Sequence, residues 1–163
     1  MKKYNSKLQT VVFSHTYDAL FTQIHAESSY IASSIYHSMP EKKSVTPLII
    51  TQDEEAFIRK ALQQIHNLLA TRLAAYTTAE TRIDGDNYII EIQMPANRNA
   101  ATDHLIAHEI ERSMVAYTLA AWYEYKQVPT ASQQLNVCAA STTTLLHDVR
   151  MAYKGYKRPG NYF

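Results

Sequence analysis

A mainly helical fold is predicted: a bundle of about four helices, a minor β element near residues 88–94 and an extended C-terminal tail. Three observations predict it. Apolar residues recur at helical spacing over several long stretches, glycine is scarce, and one short segment is rich in β-forming residues. The chain has three glycines in 163 residues, with Gly85 the first, against an average usage of roughly 7%. Gly-rich phosphate cradles and chains of tight hairpins need residues free to take positive φ. Both are disfavoured, and long helices are the economical alternative.

The elements follow in order. Ser6 and Gln9 have capping-box spacing, and Phe13, Tyr17, Leu20 and Ile24 then lie on one helical stripe, which predicts a helix over 7–25. Ile31 and Ile35 extend the phase as a weaker helical piece over 28–38, diluted by Ser28, Ser29, Ser33 and Ser34. Pro40 and Pro47 bracket a loop. Thr51 and Glu54 form a second capping box, and Ile58, Leu62, Ile65, Leu69, Leu73 and Tyr76 make the clearest amphipathic stripe, over 52–78. Asp84-Gly85-Asp86-Asn87 signals a turn. The run from Tyr88 to Met94 reads as a strand that stops at Pro95. Its candidate partner is Val45–Ile50, which Pro47 confines to an edge.

A third helix is predicted from just after Thr102 to about Gln127, with Ile106, Ile110, Met114, Tyr117 and Ala121 as its main stripe. His104 and His108 fall opposite that stripe. Further along, Val115, Leu119 and Trp122 form a second apolar face. A helix apolar on two sides is either central in a bundle or pressed against a second subunit. Val128-Pro129 ends it. Thr130 and Gln133 have capping-box spacing for a fourth helix reaching about Tyr153, with Leu135, Cys138, Leu145, Val149 and Ala152 in phase and Gly155 as its C′ residue. The organisation expected is one helical domain over 1–153 and a basic, aromatic tail over 154–163.

Composition excludes several function classes. Sixteen Lys+Arg against fifteen Asp+Glu give a net charge of +1, without the basic excess of a dedicated nucleic-acid binder. One cysteine makes neither an intrachain disulfide nor a thiolate zinc site. No apolar run approaches the ~18 residues of a membrane span. Met1-Lys2-Lys3 is not followed by the apolar core of a signal peptide, so synthesis inside the cell is expected.

His104 and His108 place two imidazoles on one helix face, with Glu111 a turn on and His66 or His147 as a third metal ligand. The zinc-protease pattern fails because Arg112 stands where its second histidine belongs. The plainer reading is the wet side of an amphipathic helix, and no catalytic, cofactor or metal residue is assigned. Glu109 and Glu111 with Arg112 read as surface ion pairs, and Cys138 as a buried structural thiol. The C-terminal run of Arg150, Tyr153, Lys154, Tyr156, Lys157, Arg158, Tyr162 and Phe163 interleaves aromatics with cations. Such a run suits docking on a partner protein. A solvated basic tail is the competing reading, with nucleic acid behind both.

Several stretches together resemble a known family. They are Thr51-Gln52-Asp53-Glu54-Glu55-Ala56-Phe57-Ile58-Arg59, the run from His108 to Glu124 through Met114 and Trp122, and Leu145 to Tyr153 followed by Lys157-Arg158-Pro159. The segment Ala26-Glu27-Ser28-Ser29-Tyr30-Ile31 is a fourth. In order along the chain they resemble small neck proteins of tailed bacteriophages and prophages of gut Bacteroidetes, which look like head–tail connector (adaptor) proteins. The resemblance implies a structural virion protein, made in the bacterial cytoplasm. Its copies form a homo-oligomeric ring, commonly of twelve, that docks on the portal, meets downstream tail proteins and passes genomic DNA without sequence-specific binding. It further implies that the C-terminal run reaches the portal and that Val115, Leu119 and Trp122 meet a neighbouring subunit. The alternatives are a metal-dependent helical-bundle enzyme built on His104 and His108, and a small helical nucleic-acid-binding regulator.

Overall fold

The computed structural model describes residues 7–38, 48–77 and 81–154. Strand β1 (Leu8–Thr16) leads directly into helix α1 (Tyr17–Ser38). A 3-10 turn (Gln52–Glu54) opens α2 (Glu55–Arg72). The hairpin β2 (Arg82–Asp84) and β3 (Asn87–Pro95) follows, then α3 (Ala101–Tyr125) and α4 (Ala131–Ala152). The expected four helices and minor β element are present, the latter as a three-stranded antiparallel sheet in the order β1-β3-β2.

The opening segment corrects the sequence reading. Residues 8–16 form a strand, and helix begins only at Tyr17. The segment holds Thr10, Val11, Val12, Phe13 and Thr16, β-branched or aromatic residues that fit a pleated surface. The spacing of Phe13 and Tyr17 coincidentally matched a helix, because one lies on the strand's inward face and the other opens the helix. From Tyr17 onward the phase holds, and Tyr17, Leu20, Ile24, Ser28 and Ala32 are buried. The helix is continuous to Ser38, without a break between the two predicted pieces. Gln9 lies in the strand, so it caps no helix, and Ser6 lies outside the described residues.

β1 is also the partner that the central strand lacked. Leu8 lies opposite Pro95 and Thr16 opposite Asn87 along a continuous antiparallel ladder. Of the expected partner segment, Val45–Pro47 lies outside the described residues, and Leu48–Ile50 forms no strand. Instead Ile50 is a buried anchor. Its N–H donates to Ser28 Oγ at 3.1 Å, and its carbonyl meets His25 Nδ1 at 2.8 Å.

α2 ends at Arg72, short of the predicted 78, because β3 competes for the chain. Gln93 N donates to Tyr76 O at 2.7 Å, and Thr77 bridges to Ile92. Gly85 takes φ +58 at the first of the two residues joining β2 to β3, where a II′ hairpin turn demands glycine. α3 ends two residues early. Gln127 takes φ +57, Val128 N donates to Tyr123 O, and Gln127 N to Glu124 O, the bond pair of a Schellman stop. The predicted capping box of the fourth helix does not form: Thr130 is helical in backbone, and its side chain caps nothing.

α3 is the axis of the fold. It packs against α1, α2 and α4, and Ile106, Ile110, Met114, Val115, Leu119, Trp122 and Tyr123 are all buried along it. This decides between the two readings of its second apolar face, which is filled within the chain. One face of the sheet, carrying Phe13, Tyr88, Ile90, Ile92 and Met94, closes the same core. The other face is wet, and there Gln93 Nε2 donates to Thr10 Oγ1 at 2.8 Å and Arg82 pairs with Glu91 at 3.1 Å.

Candidate functional site

Glu54 shows how local sequence sets long-range geometry. Its backbone N–H donates to Thr51 O, and its Oε2 accepts from Thr51 N at 3.4 Å, which realises the predicted capping box. Its Oε1 accepts from Trp122 Nε1 at 2.8 Å, with Lys126 Nζ at 3.4 Å. Trp122 is therefore a buried latch between the start of α2 and the end of α3. Together with Val115 and Leu119 it lies in the core, so these three cannot serve as a partner surface.

The C-terminal contact residues divide. Arg150 and Lys154 are exposed at the end of α4. Tyr153 is half-buried: its hydroxyl donates to Gln93 O and its ring packs on Tyr76, with centroids 5.2 Å apart. It fastens α4 to the sheet, so a side chain expected to meet a partner is engaged within the chain. Tyr156, Lys157, Arg158, Tyr162 and Phe163 lie outside the described residues.

The candidate metal ligands do not converge. His104 and His108 are exposed on α3. His66 is buried, its Nε2 facing Ile89 O at 3.0 Å, and His147 is exposed beside Asp148. Among the described residues no three His, Cys, Asp or Glu side chains group as a metal ion requires. Cys138 is buried, and burial pushes its thiol pKa up, away from the nucleophilic thiolate.

Two depressions open on the surface. A cleft of about 240 Å³ between α1 and α3 is lined by Gln23, Glu27, His108, Glu111, Arg112 and Val115. Burial raises the Glu27 carboxyl, and Arg112 opposes that shift. Sequence reasoning placed Glu111 and Arg112 on a wet helix face but missed Glu27, because only the packing of α1 against α3 brings it there. A groove of about 280 Å³ between α2, α3 and α4 is lined by Leu68, Tyr117, Leu135, Cys138, Thr142 and Leu146, with Arg72 beside them. Leu135, expected in the core, is 47% exposed there, and Leu68 is 40% exposed. Tyr30 in the second half of α1 and Tyr125 at the end of α3 are more exposed still, at 78% and 69%.

Comparison with known protein families, curated proteins and solved structures finds no match. No helix among the described residues is long and apolar enough to cross a membrane.

Proposed function

We propose that this protein is a structural subunit of a bacteriophage neck, a head–tail connector whose copies assemble head-to-tail into a ring on the portal. The observation that carries this reading is the scatter of large exposed side chains over separate elements: Leu68 on α2, Leu135 on α4, Tyr125 on α3 and Tyr30 on α1. A head-to-tail ring needs two unlike complementary patches on each protomer, and tyrosine is a common interface anchor. The resemblance of the Thr51–Arg59, His108–Glu124 and Leu145–Tyr153 stretches to connector proteins supplies the biological setting. A net charge of +1 suits a lumen through which DNA slides without being gripped. Portal contact is assigned to Arg150, Lys154 and the segment beyond, and the number of copies is commonly twelve in such rings.

The test is co-sedimentation with the portal, together with electron microscopy of the mixture. Rings seated on the portal are expected. A protein that stays monomeric and ignores the portal would overturn the reading. A chain truncated after Gly155 is expected to keep its melting temperature within about 2 °C, under ~1 kcal/mol for a chain of this size, yet to lose portal binding. A large drop in melting temperature would show that the segment belongs to the core.

A further inference from the structure

The sheet has two edges of opposite character. β2 is three residues long and carries Arg82 and Asp84; shortness and charge are the usual protections of an edge. β1 is nine residues long and contains no Lys, Arg, Asp, Glu, Pro or Gly. Its hydrogen-bonding direction follows from its ends. Lys7 O accepts from Ala96 N, and Tyr17 N donates to Asp86 O, so odd-numbered residues bond to β3. The main-chain groups of Leu8, Thr10, Val12 and Ser14 therefore point away from the sheet. Among the described residues no strand pairs with them. Their side chains are exposed, Val12 at 55% and Leu8 at 43%.

We infer that this edge pairs with the same edge of a second copy, antiparallel about a two-fold axis at Val12, and that the free protein is a dimer with a continuous six-stranded sheet. The strand is complementary to itself in this register. On the wet face Val12 meets Val12 of the second copy, and Thr10 meets Ser14, a hydroxyl pair. On the core face Val11 meets Phe13, and Gln9 meets His15. Apolar and hydroxyl pairings of this kind stabilise a sheet, and no like charges oppose one another. The short, charged β2 edge offers nothing comparable, so a β1-to-β2 contact is disfavoured. The contact is separate from the neck reading, which draws on other surfaces; either can fail while the other stands.

Val12 is the residue to change. Val12→Lys guards the edge and leaves the core untouched, with Glu91 opposite it in the β3 ladder. Sedimentation of the wild-type chain at micromolar concentration is expected to give twice the 18.6 kDa chain mass. Val12→Lys is expected to weaken dimerisation at least tenfold, with an unchanged far-UV spectrum and melting profile at low concentration. Directly opposed residues of a hydrogen-bonded pair lie about 5.5 Å apart at Cα, within reach of a short bis-maleimide. Val12→Cys is therefore expected to cross-link with that reagent, while the wild-type chain, with only buried Cys138, does not. A monomeric wild-type chain, a dimer indifferent to Val12→Lys, or a Val12→Cys dimer that resists cross-linking would each overturn the inference.

Discussion

Single side chains hold the joints of this fold, and their removal is measurable. Glu54 is the acceptor for the buried Trp122 indole and part of the cap of α2. Glu54→Ala strands a buried donor, which costs about 1–3 kcal/mol; a corresponding drop in thermal or urea midpoint by circular dichroism checks it. His15 is held between strand and helix, with Nε2 facing Ala107 O at 3.1 Å and Nδ1 buried without a partner among the described residues. Burial lowers its pKa, with the carbonyl bond and nearby Glu111 opposing. The folded protein thus resists a proton that the unfolded chain accepts below about pH 6.5. Stability present above that pH is lost as the pH falls towards the depressed folded value. His15→Gln keeps a donor for Ala107 O and is expected to flatten the fall in melting temperature as the pH drops below 6.5. An imidazole titration midpoint at or above 6.5 by NMR would contradict this account. The Glu54 cap was legible because Thr51 lies three residues away in sequence. The Trp122 end of the same bond was not, since nothing local links residues 68 positions apart.

Element boundaries are set by backbone positions that either accept or resist a left-handed turn. Gly85 has open space where a Cβ would go, so Gly85→Ala isolates the conformational cost of φ +58, about 1 kcal/mol of lost stability. Gln127 also takes a positive φ without being glycine, and Gln127→Gly is expected to gain up to about 1 kcal/mol. Denaturation midpoints of the two variants moving in opposite directions is the decisive pattern. The helices were readable wherever one face alone met the core, as in α2, and the hairpin turn was readable from its Asp84–Asn87 sequence. β1 was not, because its inward residues Val11 and Phe13 run into the stripe of α1 without a turn between them. The end of α2 was hidden for another reason: the chain leaves the helix to satisfy Gln93, a long-range demand that periodicity does not record.

At the scale of the whole molecule, α3 joins sheet and helices into one apolar cluster. The body is expected to unfold as one unit. Trp122 fluorescence and far-UV circular dichroism are expected to report coincident transitions. Leu119→Ala at the centre should shift both by the about 2–5 kcal/mol typical of a core truncation; separated transitions would show that the sheet melts on its own. The wet side of α3 was foreseen from His104 and His108, but the α1–α3 cleft and the α2–α4 groove were not, since each is made by residues from different elements. The pairing of β1 with β3 also has a consequence during synthesis. Leu8 leaves the ribosome first, yet its partner Pro95 is made about 90 residues later, roughly 5–20 s at ordinary elongation rates. Throughout that interval every nascent chain on a polysome carries an uncharged strand with neither edge occupied, so translation speed and transcript crowding become determinants of how much protein is recovered folded.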